Sequence, residues 1–136
     1  MFDGSAVREG LFSVGIAGNR ISFVTASVAS ASKEIDAEGR FLMRGLIDCH
    51  VHLLEMWNAT DEVSMAADIQ SELPRRLKDL LATGVTTVKS VCDSEEDILH
   101  VRAMLSNGDL IGPRLFATGA AFAAPGESSL NNNHLR

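Results

Sequence analysis

The chain has 136 residues, 46% of them apolar and 22% charged, a composition that points to a folded globular protein and excludes a disordered one. Its 18 acidic against 12 basic residues give a formal charge of −6, and the basic residues are dispersed rather than gathered in a stripe, so nucleic acid is not an expected partner. The opening text MFDGSAVREG holds no apolar core of a signal peptide, and no run approaches the ~18 apolar residues of a membrane span, so the expected setting is the cytoplasm, with no membrane partner.

The first elements are short and β-like. LFSVGIAG and RISFVTA flank Gly18-Asn19, two residues that tolerate positive φ, which predicts a tight hairpin. In RISFV, Ile21 and Phe23 share one face of the strand, and Ser22 and Val24 the other. A small-residue linker, SVASASK, leads to EID and a turn at Glu38-Gly39. Residues 1–43 are thus expected to form a small β-layer.

The next run, GLIDCHVHL, is apolar on both sides of its alternation at Leu46, Ile47 and Val51, which predicts a strand buried on both faces. After the polar text EMWNATDE, Leu73, Leu77, Leu80 and Leu81 recur at helical spacing opposite Arg75, Arg76, Lys78 and Asp79. Pro74 suits the first turn of that helix, with Ser71 or Glu72 as its entry, and Gly84 suits its end. Residues before Ser71 are expected to form a separate short helix.

GVTTVKSV is a second β-branched strand. DSEEDILHVRAMLSNG is a second helix, opened by Asp93 or Ser94 as N-cap, burying Ile98, Val101, Met104 and Leu105, and stopped at Asn107-Gly108. PRLFATGAAF is a third strand. The order strand, helix, strand, helix, strand predicts right-handed crossovers and a parallel sheet, open or closed into a barrel. Cys49 and Cys92 lie far apart without metal spacing and are expected to be buried free thiols.

The chemistry concentrates in RGLIDCHVHL. Strict alternation would put Asp48, His50 and His52 on one face and Ile47, Cys49 and Val51 on the other. The histidine backbones would then lie about 7 Å apart, a gap that converging side chains can close to the ~4 Å or less required by two ligands of one metal. The other reading is two strand-end histidines bonded to backbone carbonyls. Three ionisable groups on one face of a buried strand favour ligation, because buried charge without a partner is costly.

These residues carry a resemblance. GLIDCHVHL resembles the first barrel strand of the metal-dependent amidohydrolase superfamily, VGIAGNRISFV and EIDAEGRFLM its small preceding β-sandwich, and LLATGVTTVKSV its first helix and second strand. GPRLFATG resembles the third strand of its imidazolonepropionase-like and aryldialkylphosphatase-like branches, and the first of these is the expected one. The resemblance runs from about Leu11 to Gly126. It implies an α/β fold: a β-sandwich segment over 1–43, then over 44–136 about the first three strands of a (β/α)8 TIM barrel. It further implies one or two divalent ions, zinc above all, with His50 and His52 matching the first-strand ligand pair. The activity implied is hydrolysis of an amide or related C–N bond in a small-molecule substrate. Asp48 would orient a ligand or close the strand end rather than ligate.

The pattern departs from the family in two places. Arg44 stands where a proline is usual, which changes local rigidity and not chemistry. The family's remaining ligands and its catalytic carboxylate lie on strands four to eight, and a whole barrel takes about 250 residues. The chain is therefore expected to be an N-terminal part, weak in metal binding and inactive alone. The alternative from another class is a truncated, non-catalytic remnant that associates, with itself as a homo-oligomer or with others, through an open sheet edge.

Lys89 shares a face with Thr87 and Val91 and is expected to be an interior ion-pair partner or a snorkelling side chain rather than a metal bridge. His100 is expected on the solvated side of its helix. His134 follows the third strand, where relatives place substrate-contacting loops, but PGESSLNNNHLR does not match their text. Glu127, Ser128 and Ser129 lack the G-x-S-x-G setting of a nucleophile and read as a solvated loop.

Overall fold

The computed structural model describes residues 1–54 and 62–121. Its contacts divide the chain into two compact units, Met1–Arg44 and Gly45–Arg136. No helix among the described residues is long and apolar enough to cross a membrane.

In the first unit, strands β1 (Ser13–Ala17) and β2 (Arg20–Thr25) pair antiparallel around the expected Gly18-Asn19 turn. Gly18 takes φ 61°, the left-handed region that such a turn requires. The register shifts between Gly15 and Ile16. Opposite the shift, the Phe23 ring lies over Gly15 so closely that a Cβ there would stand 2.2 Å from Phe23 Cε1. The bare glycine is what lets the ring approach the ladder so closely.

Before the hairpin, the Asp3 carboxylate gathers a tight turn. It accepts from Ala6 N–H at 3.0 Å, Arg8 Nε at 2.6 Å, and Ser5 N–H and Oγ at 2.9 and 2.8 Å. These donors, that of Ala6 foremost, hold the carboxyl well below its ordinary value of 3.8. A depressed carboxylate binds fewer protons folded than unfolded. Its stabilisation is therefore complete above 3.8 and is lost as pH falls below that value toward the folded one. In an NMR titration the Asp3 carboxyl is expected to remain ionised at about pH 3, below the ordinary value for aspartate; a midpoint near 3.8 would contradict the bonded turn.

The second unit is built on a parallel sheet of β3 (Leu46–Val51), β4 (Val85–Ser90) and β5 (Arg114–Ala117), in that order. Helices α1 (Glu62–Ser71) and α2 (Leu73–Ala82) connect β3 to β4, and α3 (Glu95–Asn107) connects β4 to β5. This is the expected strand and helix order, and it is the arrangement of the opening part of a (β/α)8 barrel.

Local chemistry explains the helices. Pro74 sits in the first turn of α2, and Gly84 follows its end at φ 87°. On the exposed side Arg75 bridges Glu72 and Asp79. Helix α3 has Glu95, Glu96 and Asp97 against its positive N-terminus and Gly108 at φ 84° after its last turn. Ser94 is its N-cap position, but no side chain caps it. Asp93, the other expected cap, is engaged elsewhere.

One face of the sheet carries the core. Val88 and Leu115 pack with Leu73 and Leu77 of α2, Ile98 and Val101 of α3, Met65 and Ile69 of α1, and Leu53 and Leu54 beyond β3. Met104 and Leu105 are half-buried rather than enclosed. The expectation that β3 is buried on both faces is not met: Leu46 is 48% and Ile47 66% exposed. The strand lies at the edge of the sheet, and the face it shares with Thr87, Lys89, Arg114 and Phe116 is open among the described residues.

Gly45 enters the sheet where the Thr86 side chain crosses it. A Cβ on Gly45 would meet Thr86 Oγ1 at 2.0 Å and Cβ at 2.7 Å. Gly45→Ala is expected to cost about 1–3 kcal/mol. In a Thr86→Gly background the same substitution should cost little, and equal losses in both backgrounds, measured by urea unfolding, would refute the clash.

Candidate metal centre

His50 is the penultimate residue of β3, and His52 stands one residue beyond the strand's C-terminal end. Their exposed rings lie with centroids 5.3 Å apart and planes at 77°. The structure thus brings the two expected ligands together, though not by the expected alternation.

The register explains the difference. Asp48 pairs with Val88 and Val51 with Ser90, so three steps on β3 answer two on β4. The extra residue is a bulge, which re-aims the side chains around it. Asp48 and Val51 fall on the face of buried Val88 and Ser90, and Asp48 leaves the face of the histidines to which strict alternation assigned it. Its carboxylate accepts the His50 N–H at 3.0 Å, tying off the bulge. Strict alternation fails here because a strand-end aspartate offers the backbone another partner.

Beyond Val51 the chain leaves the ladder and is caught by β4. The Leu53 N–H donates to Ser90 Oγ at 3.2 Å and to Asp93 Oδ2 at 3.3 Å, and the Leu54 N–H donates to Asp93 Oδ1 at 3.4 Å. Ser90 Oγ in turn donates to Asp93. Asp93 is 1% exposed. Burial pushes its carboxyl above the ordinary value, against the opposing pull of the Ser90, Leu53 and Leu54 hydrogen bonds and of nearby His52. Cys92, at φ 59°, is a left-handed non-glycine residue in the turn that swings Asp93 inward.

Sequence reasoning treated Asp93 only as a helix cap. The available signal was redundancy: Asp93 and Ser94 are both capping residues at one helix start, so one was free for other work.

A cavity of about 380 Å³ adjoins His52, bounded by Val51 and Leu53 and by Arg76, Asp79, Leu80 and Thr83 of α2 and its end. Arg76 forms an ion pair there with Asp68 of α1.

The remaining candidates stay apart from the histidines. Lys89 is exposed and makes no ion pair among the described residues, and His100 is exposed on α3 as expected. Cys49 and Cys92 are free thiols, but Cys49 is exposed and Cys92 half-buried, which corrects the expectation of burial. The edge position of β3 accounts for Cys49. Glu127, Ser128, Ser129 and His134 lie outside the described residues. Among the described residues no group of three His, Cys, Asp or Glu side chains converges.

The parallel βαβαβ layer is a partial (β/α) barrel, and the chain is distantly related to the metal-dependent amidohydrolase superfamily. The imidazolonepropionase of Vibrio vulnificus (strain CMCP6) is 32% identical in an alignment of 107 positions that takes in 57% of this chain and 26% of that protein. A solved Xaa-Pro dipeptidase with methionine bound in its active site superposes with a TM-score of 0.67 at 27% identity, over 82% of this chain and 29% of that one. Phenylurea hydrolase B shares the fold, with a TM-score of 0.63 at 24% identity, over 80% of this chain and 26% of that one. The chain spans about a quarter of the length of these relatives. No family model matches it.

Proposed function

We propose that this chain is the N-terminal part of a metal-dependent amidohydrolase that hydrolyses an amide or related C–N bond in a small molecule. Residues 1–43 would form part of its small β-sandwich and residues 44–136 the opening of its barrel. The observation that carries the reading is the His50–His52 pair, 5.3 Å between ring centroids, at the C-terminal end of the first strand of a parallel sheet.

The residues fit a divalent ion. Two imidazoles on one tetrahedral zinc, at Zn–N of about 2.0–2.1 Å, carry their ring centres about 5 Å apart. His50 and His52 would therefore hold zinc, as one or both members of a one- or two-ion site. When bound, such an ion supplies Lewis acidity toward a substrate carbonyl and toward water. A catalytic zinc takes three protein ligands, and two histidines do not complete the set. The finer placement in the imidazolonepropionase-like branch draws its support from the Vibrio relative; the GPRLFATG text fits the aryldialkylphosphatase-like branch as well.

A second reading, a non-catalytic module that associates through its sheet edge, draws on β3 and β5, each paired on one side only among the described residues, and on exposed Ile47 and Phe116 on these two strands. The reading frame downstream of Arg136 separates the two. Further strand-end histidines and an aspartate in frame are expected for the enzyme, and a stop codon directly after Arg136 would favour the module.

A further inference from the structure

Among the described residues, Asp93 is the one buried ionisable side chain, and it sits where the β3–β4 ladder runs out. The last ladder bond runs from Val91 N–H to Val51 O at 2.9 Å. The next two donors after His52, the amides of Leu53 and Leu54, are turned inward with their buried side chains and cannot reach water. A buried amide requires an acceptor, and Asp93 with Ser90 supplies it.

We propose that Asp93, braced by Ser90, is a positioning residue that fixes the backbone directly after His52 and so holds its ring beside that of His50. Three donors converge on two carboxylate oxygens: Ser90 Oγ and Leu53 N–H on Oδ2, and Leu54 N–H on Oδ1. That demand selects a carboxylate. An asparagine would turn an NH2 toward one of these donors. On the other side, Asp48 ties down the His50 amide, so the two ring-bearing residues are anchored from opposite ends of the bulge. The inference rests on the reading of His50 and His52 as ligands, but the positioning itself is measurable without metal.

The test uses the full chain and Co(II) as the probe. In Asp93→Asn, hydrogen exchange at the Leu53 and Leu54 amides is expected to rise at least about tenfold and the NOE between the His50 and His52 rings to weaken. Co(II) affinity, read from its d–d absorption, should fall about tenfold, as is typical when the support of a metal ligand is removed. Ser90→Ala, which removes one brace and keeps the carboxylate, should move all three in the same direction by less, and it decides the matter if Asp93→Asn does not fold. Unchanged exchange, NOE and affinity in the folded variants would overturn the proposal. A His52→Ala control separates the two failures: if that control binds Co(II) as the parent does, the ligand reading falls, while exchange and the NOE still judge Asp93.

Discussion

Replacing His50 and His52 together with alanine is expected to abolish saturable binding of zinc or Co(II) by this chain. The parent should bind weakly, with a Kd above roughly 1 μM, because two imidazoles supply only part of a catalytic ligand set. Each single replacement should cost about tenfold or more, since one imidazole leaves the ion mostly to water. The centroid separation of 5.3 Å argues that both rings reach one ion without rebuilding the strand end. Metal analysis after dialysis decides it: equal metal in the parent and the double variant removes the assignment. Tight zinc retention together with amide hydrolysis by the chain alone would instead show that the missing ligands lie within it.

The parts of this arrangement legible in the sequence are those set by local chemistry. Gly18-Asn19 places the hairpin, Pro74 and Gly84 bracket α2, and Gly108 ends α3, because each residue settles its own backbone. The histidine pair was legible as well, since H-x-H at the end of an apolar strand is a pattern of residue types. The bulge was not. Strict alternation put Asp48 with the histidines, and only the register with β4 reveals that one extra residue moves it to the face of Val88. Asp93 was illegible for a similar reason. Its partners, Leu53 and Leu54, lie about 40 residues earlier in the chain, and nothing in DSEEDIL records them. The exposure of β3 also depends on which strands flank it, and that is a property of the sheet rather than of LIDCHV.

Leu77→Ala is expected to be strongly destabilising for the second unit. Leu77 is fully buried in the layer between α2 and the sheet, and the chain at Gly112 passes so close that a Cβ there would stand 3.0 Å from Leu77 Cβ. Removing a buried leucine from such a site costs about 2–5 kcal/mol, as transfer energy plus the cavity left behind. Against the roughly 5–15 kcal/mol that typically separates folded from unfolded domains, that is a large fraction. The melting temperature should fall by more than about 10 °C. Ile21→Ala in the hairpin is the contrast: at 67% exposure it should cost within about 0.5 kcal/mol, and equal losses from the two substitutions would refute this account of where the core lies. Leu77 shares the core with Leu53 and Leu54 but takes no part in the hydrogen bonds that Asp93 makes to their amides, so the folded fraction of Leu77→Ala, held at low temperature, should bind Co(II) as the parent does. Loss of affinity there would mean that the histidine pair depends on general packing, whereas retained affinity beside a weakened Asp93→Asn would locate its support at the end of β4.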